Sequence, residues 1–166
     1  MVSKYTQSTL SVKDTFDFVQ RVDELNIKNS FMCSLDVQSL FTNVPLEGTI
    51  DYICELVSQH GIDVHIGIDR LRELLLFCTK NVQFQFQGKL YRQVDGCAMG
   101  SKLGPILAEF CMRMIESKAI SKGWLTNIQM YVRYVDDILI FCNSREACNQ
   151  LLKNMNSLHS NVKFTV

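Results

Sequence analysis

Residues 130–142 have the sequence MYVRYVDDILIFC, in which two apolar segments are separated only by Asp136 and Asp137. Each segment has the length and composition of a strand buried in a sheet. The pattern predicts a hairpin of Met130–Val135 and Ile138–Cys142 with the acidic pair at its turn. Asp-Asp is a poor choice for a two-residue turn, and adjacent carboxylates raise each other's proton affinity. A bound divalent cation would remove both objections; a polar hairpin tip in water is the alternative interpretation.

A third carboxylate follows another apolar segment. Phe31–Leu35 is predicted to be a buried strand, and it ends at Asp36. In an open sheet this strand and the hairpin can be neighbours, so Asp36 would join Asp136 and Asp137. Three carboxylates at one place predict a site for two divalent cations, the arrangement used for in-line phosphoryl displacement. For Asp36 alone, an ordinary strand-end cap is the preferred interpretation.

A glycine-rich stretch, GCAMGSKLGP at residues 96–105, precedes a predicted helix. Glycines let the backbone approach a ligand closely, and helix N-termini favour anions. The spacing matches neither a P-loop nor a GxGxxG fingerprint. By itself the stretch indicates little, and its importance depends on the carboxylates elsewhere in the chain.

The other segments alternate between helical and strand periodicity. A first helix is predicted after a capping box at Ser11 and Asp14, with an apolar stripe of Val12, Phe16, Val19, Val22 and Leu25. A hairpin over Val82–Val94 should turn at Gly88, with its aromatic residues packed across the strands. Further helices are predicted after Pro45, around residues 71–78, after Pro105 and over residues 147–158, and a last strand over Val162–Val166. This order favours an α+β fold with an antiparallel sheet and helices on one face.

Composition excludes several classes of protein. The 166 residues fit one compact unit, and 17 basic residues balance 17 acidic ones, unlike a strongly basic nucleic-acid clamp. The apolar runs are far shorter than the ~20 residues of a membrane helix, so no membrane association is predicted. Seven scattered cysteines without a CxxC pair predict reduced thiols in an intracellular protein and no zinc site.

Three segments together resemble motifs A, B and C of a reverse transcriptase palm, in that order: DVQSLF at 36–41, MGS at 99–101 and YVDD at 134–137. The sequences of residues 34–46 and 99–105 are most similar to those of Penelope-like retroelement proteins, which are relatives of telomerase reverse transcriptase. The resemblance implies a polymerase palm with a ferredoxin-like βαββαβ core over residues 31–166, ending before the thumb. Residues 1–30 would be a helical segment from the fingers side.

The resemblance also implies roles for individual residues. Asp36, Asp136 and Asp137 would be catalytic and, with the Val37 carbonyl, would hold two Mg²⁺ ions, for which Mn²⁺ can substitute. The implied nucleotide-binding residues are Val37, Leu40, Phe41, Met99 and Gly100. Phe41 would exclude the ribonucleotide 2′-hydroxyl. Many reverse transcriptases have Gln where Met99 stands here.

The implied function is RNA-templated DNA synthesis by a nuclear retroelement protein, which transfers deoxynucleotides to a primer 3′-hydroxyl. The implied partners are an RNA template, a DNA primer, deoxynucleoside triphosphates, and the fingers, thumb and endonuclease regions of a longer protein. The 166 residues alone are expected to have little or no activity. The alternatives are a non-catalytic palm remnant, a nucleic-acid-binding module, and a palm-type nucleotidyl cyclase.

Overall fold

A computed structural model describes residues 10–24, 30–80 and 82–166 of the chain. These residues form two compact units, one extending to Gln38 and resuming at Ile115, the other comprising Ser39–Met114. The elements, in chain order, are α1 (Thr15–Asp23), β1 (Phe31–Val37), α2 (Leu40–Asn43), α3 (Leu46–Gln59), α4 (Ile68–Thr79), β2 (Gln83–Phe86), β3 (Lys89–Arg92), α5 (Gly104–Ser121), β4 (Ile128–Tyr134), β5 (Asp137–Cys142), α6 (Arg145–Asn156) and β6 (Phe164–Thr165).

The first unit contains a four-stranded sheet in the order β4-β5-β1-β6, with every neighbouring pair antiparallel. Helices connect β1 to β4 and β5 to β6, while β4 and β5 form a hairpin. Strand order and connections together are those of a ferredoxin-like βαββαβ core, so the predicted fold is confirmed. The last strand is shorter than the predicted Val162–Val166, because only Phe164 and Thr165 pair with β1.

One face of this sheet packs into the main hydrophobic core of the unit. Alternate side chains of the two central strands point to the same face, and on this face they are buried: Cys33, Leu35 and Val37 from β1, and Ile138, Ile140 and Cys142 from β5. The α6 helix contributes the buried residues Cys148, Leu151 and Met155. The Cys148 thiol adjoins Cys33 and Cys142, and burial raises its pKa to about 12.

The opposite face of the sheet is partly covered by α1. Val12, Met130 and Val132 form a small buried cluster, against which Phe18, Val22, Leu139 and Phe141 pack. The helix was predicted, and Val12 and Val22 of the predicted stripe lie in this cluster, but the cap and the position of Phe16 differ from the prediction. The cap is Asp14, whose carboxylate accepts the Asp17 amide at 2.9 Å, and Phe16 is 86% exposed. Phe18 and Val22 are four residues apart and so share the helix face that packs on the sheet, whereas Phe16 lies on the solvent face. Leu25 lies outside the described residues.

The second unit contains α2, α3, α4, the β2–β3 hairpin and the α5 residues up to Met114. The hairpin confirms the prediction: both turn residues, Gln87 and Gly88, have positive φ, and the Phe84 ring stacks on Tyr91 with centroids 5.5 Å apart. Two such residues in a row define a type I′ turn, whose twist suits a hairpin. None of the described helices is long and apolar enough to cross a bilayer.

Candidate active site

The turn between β4 and β5 is displaced by one residue from its predicted position. Tyr134 pairs with Asp137, so the two turn residues are Val135 and Asp136, and Asp137 is the first residue of β5. Val135 has φ +58°, a conformation that is a steric outlier for a β-branched residue. The predicted Asp-Asp turn was therefore wrong. The pairing of β4 with β5 places Val135 at the first position of the turn, where local conformational preference favours glycine.

Asp36 and Asp137 lie on one face of the sheet. The β1–β5 register runs from Phe31 opposite Cys142 to Leu35 opposite Ile138. One further step places Asp36 opposite Asp137. Since Leu35 and Ile138 point into the core, the next pair points to the other face, and both aspartates are exposed. Residues directly opposite in an antiparallel pair have Cβ atoms roughly 4.5–5.5 Å apart.

Asp136, in the turn, is half-buried. Within residues 10–24, 30–80 and 82–166, no group of three or more Asp, Glu, His or Cys side chains is gathered closely enough to hold a metal ion. The arrangement therefore offers a facing pair, Asp36 and Asp137, with a third carboxylate one residue away in the turn. This donor set fits Mg²⁺, which prefers one or two carboxylates and takes its other oxygens from water and substrate phosphates. Val37 is buried, so only its main chain is available as a ligand.

A cavity adjoins the facing carboxylates on the side of α1. It has a volume of ≈ 460 Å³, and its lining includes Phe18, Ser34, Tyr134, Asp137 and Leu139. Its walls are mainly apolar, and Asp137 contributes one of its few charged groups. No sequence pattern predicted this cavity, because α1 and the strands that line it are distant along the chain.

The predicted nucleotide-binding residues of the second unit lie on α2 and on the loop before α5. Leu40 is only 2% exposed, so a nucleotide could reach its main chain alone, whereas Met99 is 76% exposed. Phe41 is half-buried, and its carbonyl accepts the Cys97 amide at 2.7 Å. Gly100 has φ +87°, a backbone conformation that glycine adopts without strain.

Close packing of the glycine-rich loop fixes its distance from α2. A Cβ atom on Gly96, which has φ +74°, would lie 2.4 Å from the Thr42 carbonyl oxygen. A Cβ on Gly104 would lie 3.7 Å from the Phe41 ring. The loop thus holds Phe41 through its carbonyl, and the absence of a side chain at Gly104 leaves space beside the Phe41 ring. Burial raises the pKa of the Cys97 thiol in this loop to about 11.

A buried ion pair behind the β4–β5 turn was missed in the sequence. Arg133 of β4 and Glu116 of α5 are 0% and 1% exposed. The guanidinium donates from Nε to Oε1 at 2.6 Å and from Nη2 to Oε2 at 3.2 Å. The sequence feature that could have indicated this ion pair is an arginine inside an apolar strand, because a buried charge requires a partner. Burial and the Glu116 carboxylate raise the pKa of the adjacent Tyr131 hydroxyl well above its ordinary value.

One protein family matches almost the whole chain, and several solved structures share its fold. The family described as "Reverse transcriptase (RNA-dependent DNA polymerase)" matches residues 3–166. Telomerase from Candida albicans, in complex with a TWJ fragment of telomeric RNA, is similar with a TM-score of 0.71 and 15% identity, over 95% of this chain and 32% of that chain. Apo telomerase from Candida tropicalis truncated from its C-terminal domain gives 0.68 and 14%, over 94% and 35%.

A more distant similarity is to the Sicinivirus 3Dpol RNA-dependent RNA polymerase, with a TM-score of 0.50 and 15% identity over 91% of this chain and 31% of that chain. No curated protein sequence matches the chain. The chain spans about a third of the length of the solved structures it resembles, and at these identities the likeness is one of fold. The family match and the ferredoxin-like sheet together show that this chain belongs to the reverse transcriptase family and has its palm fold.

Proposed function

We propose that this chain is the palm of a reverse transcriptase, which extends a DNA primer along an RNA template by adding deoxynucleotides to the primer 3′-hydroxyl. The proposal rests above all on strand register: the β1–β5 pairing ends at Leu35 and Ile138, one further step puts Asp36 opposite Asp137, and Asp136 adjoins Asp137 in the turn. Like charges directly opposite in a sheet are destabilising, and a cation bound between them would offset that repulsion. The family match supports the choice of reaction.

In this proposal Asp36, Asp136, Asp137 and the Val37 carbonyl hold two Mg²⁺ ions, for which Mn²⁺ can substitute. The ions supply Lewis acidity, which favours the deprotonated primer hydroxyl and neutralises charge on the phosphates. The protein contributes rigidity, because ligands on strands are held more accurately than ligands on loops. Asp36 and Asp137 are strand residues, and the turn that carries Asp136 is only two residues long.

The second unit supplies the groups proposed to contact the incoming nucleotide. Phe41 would pack against the sugar and exclude a 2′-hydroxyl. Met99 and Gly100 would lie against the base and the template, and Leu40 would contribute its main chain. The exposure of Met99 and the hydrogen bond from the Cys97 amide that holds the Phe41 carbonyl support these assignments.

The proposed type of reverse transcriptase rests on the amino-acid sequence of two segments. Residues 34–46 and 99–105 support a Penelope-like retroelement, related to telomerase, as the source of the protein. A retroelement enzyme of this kind would act in the nucleus, together with fingers, thumb and, in some elements, an endonuclease. Within this scheme residues 31–166 are the palm, and residues 1–30 belong to the fingers side.

Primer extension tests the proposal. The full-length protein that carries this sequence, given a DNA primer on an RNA template, deoxynucleotides and Mg²⁺, should extend the primer. Asp136→Asn should abolish extension and leave the unfolding midpoint near that of the wild type. Asp63→Asn, which changes an exposed aspartate of the loop before α4, is the matched control and should leave extension unchanged.

Three outcomes would contradict parts of the proposal. Retained extension by Asp136→Asn would remove the catalytic role of the turn. Template binding without any extension would support a non-catalytic nucleic-acid-binding module. Synthesis that needs no template would favour a nucleotidyl cyclase.

A further inference from the structure

The carbonyl of Val135 has a partner outside the strand ladder. It belongs to the first residue of the β4–β5 turn, so the ladder that ends at Tyr134 and Asp137 does not include it. The Arg133 Nη1 atom donates to this carbonyl at 2.9 Å. Nε and Nη2 of the same guanidinium bind both carboxylate oxygens of Glu116. One side chain therefore joins the turn to α5.

The main chain of Arg133 is bonded on both edges of β4. Its amide donates to the Leu10 carbonyl at 2.8 Å, and its carbonyl accepts the Val12 amide at 2.8 Å. On the other edge Arg133 pairs with Ile138 of β5. A planar guanidinium with a two-point carboxylate contact has little remaining freedom. Its Nη1–H bond to the turn is therefore fixed in direction.

The turn needs such support. Valine at φ +58° is a strained conformation that persists only where surrounding contacts require it. The next residue, Asp136, is a proposed metal ligand, and a shift of the Val135 peptide would move it. An error of 1 Å in a reacting group can reduce a rate roughly 100-fold.

We propose that Arg133 and Glu116 are positioning residues for the catalytic turn: Glu116 orients the Arg133 guanidinium, and Arg133 holds the Val135 carbonyl and so the Asp136 carboxylate. This inference rests on the proposed function for its kinetic consequence, but its structural part stands independently. Neither residue touches the substrates in this proposal, so both act through the turn.

The decisive variant replaces the pair by apolar residues of similar volume, Arg133→Met together with Glu116→Leu. Exchanging a buried ion pair in this way is often neutral for stability or stabilising, so the protein should stay folded. A pair that served stability alone would then leave catalysis unchanged. We expect instead that kcat for nucleotide addition by the full-length protein falls roughly 100-fold, with little change in KM for the nucleotide.

Two further variants complete the test. Arg72→Met with Asp51→Leu removes an exposed arginine–aspartate ion pair, Nε to Oδ1 at 2.6 Å, from the surface of α3 and α4, and should leave kcat unchanged. Arg133→Lys keeps a charge beside Glu116 but cannot make all three bonds. Its kcat should lie between those of the wild type and the double variant.

Amide hydrogen exchange separates this inference from the proposed function. In the Arg133→Met/Glu116→Leu protein, the amides of residues 135–138 should exchange faster, while those of the centre of β1 stay protected. Faster exchange in a protein whose wild type extends no primer would support the positioning role and defeat the proposed function. Wild-type kcat in the folded double variant, or unchanged exchange at the turn, would overturn the inference.

Discussion

Removing one of the two facing carboxylates should stabilise the metal-free protein. The β1–β5 register, continued by one step beyond Leu35 and Ile138, puts the exposed Asp36 and Asp137 opposite each other, and residues so placed have Cβ atoms roughly 5 Å apart. Two unit charges 4 Å apart interact with about 1 kcal/mol in water and about 4 kcal/mol at an effective dielectric constant near 20. Their exposure to solvent favours the lower figure. At neutral pH and without divalent ions, Asp137→Asn should raise the free energy of unfolding by about 1 kcal/mol.

The same substitution should remove the effect of magnesium. An ion that binds only the native state stabilises it by RT ln(1 + [Mg²⁺]/Kd), which is about 1.4 kcal/mol at ten times Kd. The wild type should therefore gain stability when MgCl₂ is added, and Asp137→Asn should gain much less. At this chain length, 1 kcal/mol corresponds to roughly 2–4 °C in Tm. Thermal unfolding with and without MgCl₂ measures both differences.

The matched control is Glu55→Gln, which removes one exposed carboxylate from α3. It should change neither the metal-free Tm nor the response to MgCl₂. If Asp137→Asn lowered the metal-free Tm, or if it kept the full magnesium response, the two carboxylates would not be a repelling pair that shares a cation.

Four other changes test separate parts of the structure. Val135→Gly should raise the free energy of unfolding in urea by up to about 1 kcal/mol, because relief of a strain of about 1–2 kcal/mol exceeds the entropy cost of glycine; a lower stability would contradict the strain. Gly96→Ala should lower the free energy of unfolding by about 2 kcal/mol or more, since its Cβ would meet a backbone oxygen at 2.4 Å; unchanged stability would mean a looser loop. Phe41→Ala should raise ribonucleotide use relative to deoxynucleotide use at least about tenfold in kcat/KM; an equal ratio would remove its gating role. At pH 8 iodoacetamide should label the exposed Cys78 and spare Cys97, whose pKa of about 11 leaves little thiolate at that pH, as mass spectrometry of the native protein would show.

The sequence by itself determined the order of elements and the candidate carboxylates. Strand and helix periodicities are local properties, so the hairpins, the helices after Pro45 and Pro105, and the positions of Asp36, Asp136 and Asp137 could all be read directly. The YVDD and MGS segments added the family, because that combination of short motifs is specific.

The tertiary structure alone decided which of these residues face each other. The register of β1 on β5 pairs segments a hundred positions apart and, continued by one step, puts Asp137 opposite Asp36. The pairing of β4 with β5 places Asp136 in the turn with Val135. No local pattern predicts valine at positive φ, because the pairing of β4 with β5 puts Val135 at the first position of the turn. The pairing of Arg133 with Glu116 was hidden for the same reason: an arginine in a strand reveals that it needs a partner, but only the packing of α5 on the sheet identifies that partner.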